Sequence, residues 1–249
     1  MRVIVEGIAT EYNDEGSGPV ILMLHGWKDD MRTFNPLVAE LGAGYRIVRL
    51  DLPGFGGSEL PPRAWRLDDY VDIVAAFVQK LNLDVAVVVG HSFGGRIAMK
   101  GIARDTLAPK KLVLIASSGV AKRNTLRINA LKALAKVGKL ATLPLPRRIR
   151  NSLRERLYKN IRSDYANAGA LRETFKNILA EDLSKAAGRI QTPTLLIWGS
   201  ADTETPLEEG LRLSELIRGS IFTLVQAAGH FVHREHPAEI AAAIEKFLV

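Results

Sequence analysis

The sequence predicts an α/β protein with a mostly parallel central sheet and helices on both of its faces. Three observations carry that prediction. Six short apolar runs recur along the chain, and most are hydrophobic at successive positions instead of alternating, as strands covered on both faces are. Helix-length amphipathic stretches separate them, and alternation of strand with helix marks this class. After the fourth run the strand pattern stops for about seventy residues, too long for a structureless loop in a compact domain.

Taken in order, "RVIVEGIATEY" comes first. Its break at Gly7 reads as a pair of strands added antiparallel at one edge of the sheet. "VILMLHG", "YRIVRLDL", "VAVVVG" and "KLVLIASS" follow as buried strands, and "TPTLLIWG" and "IFTLVQAAG" complete the set. The interruption predicts an insertion with its own helices. Within it, Ile128, Leu131, Leu134 and Val137 recur at helical spacing while Lys132, Lys136 and Lys139 gather on another side. The prolines of "ATLPLPRR" break the pattern, and "RNSLRERLYKNI" and "ALRETFKNILAEDL" resume it. The expected boundaries are a core of residues 1–118 and 190–249 and an insertion of residues 119–189.

Composition narrows the classes of function. At 249 residues and 47% hydrophobic the chain can bury one large core without needing a second domain. It has no cysteine, so disulfide frameworks and thiolate zinc sites are excluded and cytoplasm is the default compartment. The N-terminal stretch turns polar too soon for a signal peptide, and no apolar run nears the roughly 20 residues of a membrane span. The net charge of +7 is uneven: residues 120–190 hold 17 Lys and Arg against 5 Asp and Glu, which leaves −5 for the rest. Such asymmetry suits an anionic partner or a membrane surface, and equally a solvated helical face. The basic residues lack interleaved aromatics for stacking bases, so no nucleic-acid partner is expected. "DLPGFGGS" lacks both the dinucleotide fingerprint and a phosphate-loop lysine, so it reads as a turn.

The chemistry gathers around one serine. Gly90-His91-Ser92-Phe93-Gly94 fits G-x-S-x-G, with a strand before it and a helix pattern after it. In that setting a sharp turn projects the nucleophile into the open. A serine hydroxyl is a weak nucleophile near neutral pH, so it requires a base and a carboxylate to orient that base. Of five histidines, His230 follows the last strand, where ligands bind in open α/β sheets. His25 reads as a structural hydrogen-bonding residue, His91 flanks the serine, and His233 and His236 suit surface or cap roles. Asp202 lies just beyond "LLIWG" and is the carboxylate, with Glu204 its rival. A developing oxyanion needs N–H donors, and the backbone of Phe93 and of Trp27 in "LMLHGWKDD" can supply them.

With "LHGW", "DLPGFGGS", "GHSFGG", "WGSADTETP" and "AGHFVHREHP" in this order, the chain resembles the α/β-hydrolase-fold superfamily, and within it the serine carboxylesterase-like members. The resemblance implies a triad of Ser92, Asp202 and His230, and a helical cap formed by the insertion over the active site. Dehalogenases and epoxide hydrolases of the superfamily carry aspartate where this chain has Ser92, which sets those chemistries aside. Lys28 stands where glycine is common. Arg96, one helical turn past Ser92, reads either as an ion pair holding the elbow helix or as an anchor for a substrate carboxylate. The second reading rests on a similarity of "SFGGRIAM" to the elbow of the menaquinone-pathway synthase.

The expected activity is therefore hydrolysis of carboxylic esters with short to medium acyl chains, with no metal and no organic cofactor. Lys28 and Arg96 are candidate substrate-binding residues, and the basic insertion is a candidate membrane-surface contact. Carbon-carbon hydrolysis or acid elimination on a carboxylate-bearing substrate remains an alternative. So does a receptor or scaffold that encloses a ligand without turning it over.

Overall fold

A computed structural model describes residues 1–117, 119–120 and 169–249 of the chain. The two amphipathic stretches read within residues 124–162 lie outside the described residues.

Eight strands form one sheet: β1 (Arg2–Val5), β2 (Ile8–Gly16), β3 (Val20–Leu24), β4 (Arg46–Leu50), β5 (Val85–His91), β6 (Lys111–Ile115), β7 (Thr194–Gly199) and β8 (Ile221–Val225). Their order is β1-β2-β4-β3-β5-β6-β7-β8, with β1 and β2 antiparallel to their neighbours and the rest parallel. All six apolar runs are strands, and the opening segment is the antiparallel edge pair. Glu6 and Gly7, both with positive φ, make the two-residue turn between β1 and β2.

Helices α1 (Asn35–Glu40), α2 (Leu67–Lys80) and α3 (Phe93–Ala103) follow β3, β4 and β5. Beyond the undescribed stretch come α4 (Arg172–Ala180), α5 (Ser184–Ala187), α6 (Leu207–Leu216), α7 (Val232–Glu235) and α8 (Pro237–Leu248). The helix α4 falls within "ALRETFKNILAEDL", as the periodicity there requires.

Successive residues of a strand face opposite sides of the sheet, and here both sides are packed. Leu22, Leu24, Val48, Leu50 and Val88 join α2 and α3 in one buried cluster. Ile21, Met23, Ile47, Val87 and Val89 join α1 and α8 in the other. This two-sided cover is why β3 is apolar at every position, whereas β4 carries Arg46 and Arg49, which pair with Asp14 and Glu15 of the neighbouring β2.

The strand order places β4 on one side of β3 and β5 on the other. Connections therefore leave the sheet in opposite directions at the β3/β5 boundary, which opens a crevice beyond their carboxyl ends. The loop after β3 carries Trp27, and the turn after β5 carries Ser92.

Candidate active site

The strand β5 ends at His91 and α3 starts at Phe93, so Ser92 alone makes the turn. It does so with φ 48° and ψ −107°, a conformation that costs a non-glycine residue about 1–3 kcal/mol. Its N–H donates to the Ile115 carbonyl at 3.0 Å and its carbonyl accepts from the Gly95 N–H at 3.1 Å, so β6 and the helix both hold it. Close packing dictates the glycines that follow. A Cβ on Gly94 would stand 2.0 Å from the Leu24 carbonyl oxygen, and one on Gly95 1.8 Å from Ser117 Oγ. A Ser92→Gly variant, freed of the strain, is expected to melt about 2–4 °C higher, the shift that about 1 kcal/mol gives at this size. A lower melting temperature would show that the turn stores no strain.

Beside the elbow, His230 Nδ1 lies 2.9 Å from Asp202 Oδ2, with the Asp202 side chain wholly buried. Asp202 accepts three further bonds: Oδ1 from the N–H groups of Glu204 (2.8 Å) and Thr205 (2.9 Å), and Oδ2 from the Thr205 hydroxyl (2.7 Å). Burial pushes this carboxyl upward, but the bonds from His230 and Thr205 outweigh it and hold its pKa below the usual range. With Asp202 ionised, Nδ1 of His230 carries the proton and Nε2 is left basic. Trp198 fixes the loop from below by donating its indole N–H to the Thr205 carbonyl at 2.8 Å. His91 fixes the other partner: its Nε2 donates to the His230 carbonyl at 3.1 Å, and the two rings stand 4.9 Å apart. Glu204, the rival carboxylate, takes a different place. Its Oε2 is 3.7 Å from His230 Nε2, on the opposite edge of the ring from Asp202, and its side chain is 54% exposed.

Strand register sets the places of Trp27 and Phe93, the two residues read as oxyanion donors. Leu24 of β3 pairs with Gly90 of β5, so Trp27 and Phe93 each lie three residues beyond a matched pair on adjacent parallel strands. Phe93 opens a helix, where the first N–H groups have no carbonyl within the helix to bind. The rings of Trp27 and Phe93 meet edge to face at 5.5 Å, and Trp27 also packs on Phe55 and Phe175. The result is an aromatic wall beside the elbow. Two ties hold the loop bearing Trp27: the Leu52 N–H donates to His25 Nε2 at 2.9 Å, and the Met31 N–H to Asp51 Oδ1 at 2.7 Å. His25 thus has the structural role read for it. Burial lowers its pKa and keeps it neutral, and its Nδ1 donates to the Gly26 carbonyl at 2.7 Å. Lys28 has φ 58°, the left-handed conformation in which glycine is common, and its side chain is exposed.

Two expectations need correction. Among the described residues, Arg96 is neither ion-paired nor turned toward the elbow. It is 4% exposed, and its Nη2 donates to the carbonyls of Ile178 (2.6 Å) and Glu181 (2.7 Å). The unsatisfied carbonyls and negative dipole end of α4 draw the guanidinium there, so it tethers the return from the insertion to the elbow helix. Lys100, one turn further along, adds a 2.5 Å contact to Glu181. His233, expected at the surface, is fully buried, packs on His91 at 4.5 Å and lies 3.1 Å from Thr33 Oγ1. The face of α7 that carries Val232 and His233 is turned inward, and there the Phe34 ring, 5.2 Å away, packs against the imidazole. His236 does precede α8 as its cap residue.

Sequence reasoning passed over Thr205, Trp198 and the bond from His91 to His230. The signal for Thr205 was a hydroxyl three residues past Asp202, at the spacing of a side chain that folds back on a turn. Among the described residues, no group of three or more His, Cys, Asp or Glu is placed to hold a metal ion. No helix among them is long and apolar enough to cross a membrane.

A sequence model described as the alpha/beta hydrolase family matches residues 21–243 of the chain. Haloalkane dehalogenase 2 of Mycobacterium bovis is 30% identical over 264 residues, covering 95% of this chain and 90% of that protein. The 2-hydroxymuconate semialdehyde hydrolase of Pseudomonas sp. strain CF600 is 28% identical over 262 residues, covering 99% and 93%. Among solved structures, a bacterial membrane phospholipase A superimposes with a TM-score of 0.77 at 25% identity, covering 100% of this chain and 84% of its own.

Proposed function

The chain belongs to the alpha/beta hydrolase family, and from that premise we propose that it is a serine hydrolase of carboxylic esters with short to medium acyl chains. The observations that support the reading are the buried Asp202–His230 pair, joined to the elbow through His91, and the strained turn that carries Ser92. Ser92 Oγ attacks the ester carbonyl while His230 Nε2 takes its proton. Asp202 stabilises the imidazolium, and the N–H groups of Trp27 and Phe93 hold the oxyanion. The C–O bond then breaks and the leaving alcohol takes the proton from Nε2. Water repeats the sequence on the acyl-enzyme and releases the acid. The wall of Trp27, Phe55, Phe93 and Phe175 suits an apolar acyl chain.

The relatives act on unlike substrates, so family membership does not choose among them. Dehalogenation does not carry over, because Ser92 stands where the dehalogenases of the superfamily carry aspartate. Carbon-carbon hydrolysis is the second reading, favoured by the 28% relationship to the 2-hydroxymuconate semialdehyde hydrolase. It loses the anchor read for it, since Arg96 is occupied by backbone carbonyls.

The test is a chain-length series of p-nitrophenyl esters, with 2-hydroxymuconate semialdehyde assayed in parallel. Turnover with a burst of about one p-nitrophenol per enzyme, and a fluorophosphonate label mapping to Ser92, are expected. Turnover of the semialdehyde alone would move the second reading to the front. Inertness toward every substrate, with Ser92 unlabelled, would defeat both.

A further inference from the structure

Glu204 has no part in the reaction as proposed, yet its carboxylate is 3.7 Å from the nitrogen through which every proton of that reaction would pass. We infer that Glu204 is a specificity residue for the leaving group: it selects esters whose alcohol portion is cationic over those whose alcohol is neutral or anionic. The inference rests on the ester-hydrolase reading for its substrate class, and on geometry for its location.

The placement is held by the backbone. The Glu204 N–H donates to Asp202 Oδ1 at 2.8 Å and the next N–H does the same at 2.9 Å. Residue 204 is therefore held in position by the carboxylate that orients His230, whatever its own side chain does. That side chain is 54% exposed and brings Oε2 to the Nε2 edge of the imidazole, whereas the Asp202 side chain is wholly buried. The two carboxylates flank the ring from opposite edges, and their duties differ. Asp202 faces Nδ1 and neutralises the imidazolium from within the protein. Glu204 faces Nε2 from the open side.

The leaving alcohol must bring its oxygen within about 3 Å of Nε2 to receive the proton. Its substituent then occupies the space that Glu204 Oε2 borders. A positive charge two carbons from that oxygen would sit roughly 5–7 Å from the carboxylate, close enough for attraction worth about tenfold in affinity at low salt. On the ester-hydrolase reading the acyl portion packs on the aromatic cluster of Trp27 and Phe93. Because the substrate bears its charge in the ground state and the transition state alike, the attraction appears in KM and leaves kcat nearly unchanged.

The experiment compares choline esters with their uncharged 3,3-dimethylbutyl isosteres and with the anionic carboxymethyl (glycolate) esters, all carrying the acyl chain that wild type prefers. Expected for wild type is a kcat/KM about tenfold higher for the choline ester than for the isostere, expressed in KM and fading in 0.5 M salt. Glu204→Gln keeps the backbone bonds to Asp202 and is expected to bring the ratio near one. Glu204→Lys is expected to invert it. Had Glu204 only a structural role, the glutamine variant would change kcat for all three esters together and leave the ratio intact, which overturns the inference. A preference of wild type for the anionic ester, which the basic composition of residues 119–189 would favour, also overturns it.

Failure of the ester reading is separable. In Ser92→Ala the same ratio is read as Kd by calorimetry, which requires no turnover. A charge preference that vanishes there when Glu204→Gln is added upholds the inference even if no ester is hydrolysed, and its absence defeats it.

Discussion

Ser92→Ala is expected to fold, to keep its affinity for an ester substrate, and to lose about 10⁶-fold in kcat, with Asp202→Asn losing about 10⁴-fold. The two losses differ because the residues act at different points. Without the Ser92 hydroxyl there is nothing for His230 to activate, and what survives is binding and oxyanion stabilisation alone. An asparagine in place of Asp202 retains its volume and keeps an oxygen for the N–H groups of Glu204 and Thr205, so the loop stays in place. Its amide, however, cannot stabilise an imidazolium and presents a donor where His230 Nδ1–H needs an acceptor, which favours the wrong tautomer. Glu204 cannot substitute for Asp202, since its carboxylate faces Nε2. The double variant Asp202→Asn, Glu204→Gln is accordingly expected to match Asp202→Asn in kcat for a neutral ester. Burst-phase and steady-state kinetics on the preferred p-nitrophenyl ester separate acylation from release. A loss under tenfold in Ser92→Ala would remove the serine from the chemistry, and a kcat carried by Glu204 would reassign the orienting carboxylate.

Much of this arrangement was legible because it follows from local rules. A strand, one serine and a helix in unbroken succession can be joined only by a turn with unusual backbone angles, and the glycines at 94 and 95 mark where the chain must pass close to Leu24 and Ser117. The apolar runs of β3, β5, β6 and β7 identified strands because each is covered on both faces, whereas the edge strand β8 leaves Ile221 and Leu224 exposed. Trp27 and Phe93 were legible from their places after an apolar strand and after the serine, and the pairing of Leu24 with Gly90 then brings those two places side by side. What escaped was set by contacts between distant segments. Arg96 looks on a helical wheel like a residue near the elbow. Its actual partners, the carbonyls of Ile178 and Glu181, are more than eighty residues away and carry no side-chain signature. His233 reads as polar and near a terminus, but the single turn of α7 packs it beneath His91 and against Phe34. Asp202 and Glu204 could be ranked from their distance after the strand, whereas the edge of the imidazole each one faces depends on the path of the loop. The 119–189 insertion was legible as helical periodicity only, and α4 and α5 are its described part.

The same buried histidines give the second large effect, a loss of stability in mild acid. Burial lowers the pKa of His25, takes that of His91 well below its ordinary value, and brings that of His233 to about 3. In the unfolded chain each titrates near 6.5. As pH falls through that value the unfolded chain binds protons that the folded chain refuses, so the stability contributed by these groups is complete above about pH 6.5 and is lost below it. A histidine that stays neutral in the fold, as His233 does with its pKa at about 3, contributes a slope of about 1.4 kcal/mol per pH unit, and the burial of His25 and His91 acts in the same direction. By pH 5 His233 alone accounts for a loss of about 2 kcal/mol, a sizeable part of the stability of many domains. The carboxylate of Asp202, held below its usual range, shifts in the same sense but acts only as pH falls toward its own pKa. Denaturant unfolding at half-unit steps from pH 7.5 to 5 is expected to show the midpoint falling steeply below 6.5. His233→Phe, which keeps a ring against Phe34 and His91 and removes one titrating group, is expected to flatten the slope by about 1.4 kcal/mol per pH unit while lowering stability at pH 7.5 through loss of the Thr33 bond. A slope unchanged by that substitution would mean that His233 takes up its proton in the folded protein, with Thr33 and the His91 ring moving apart to admit water.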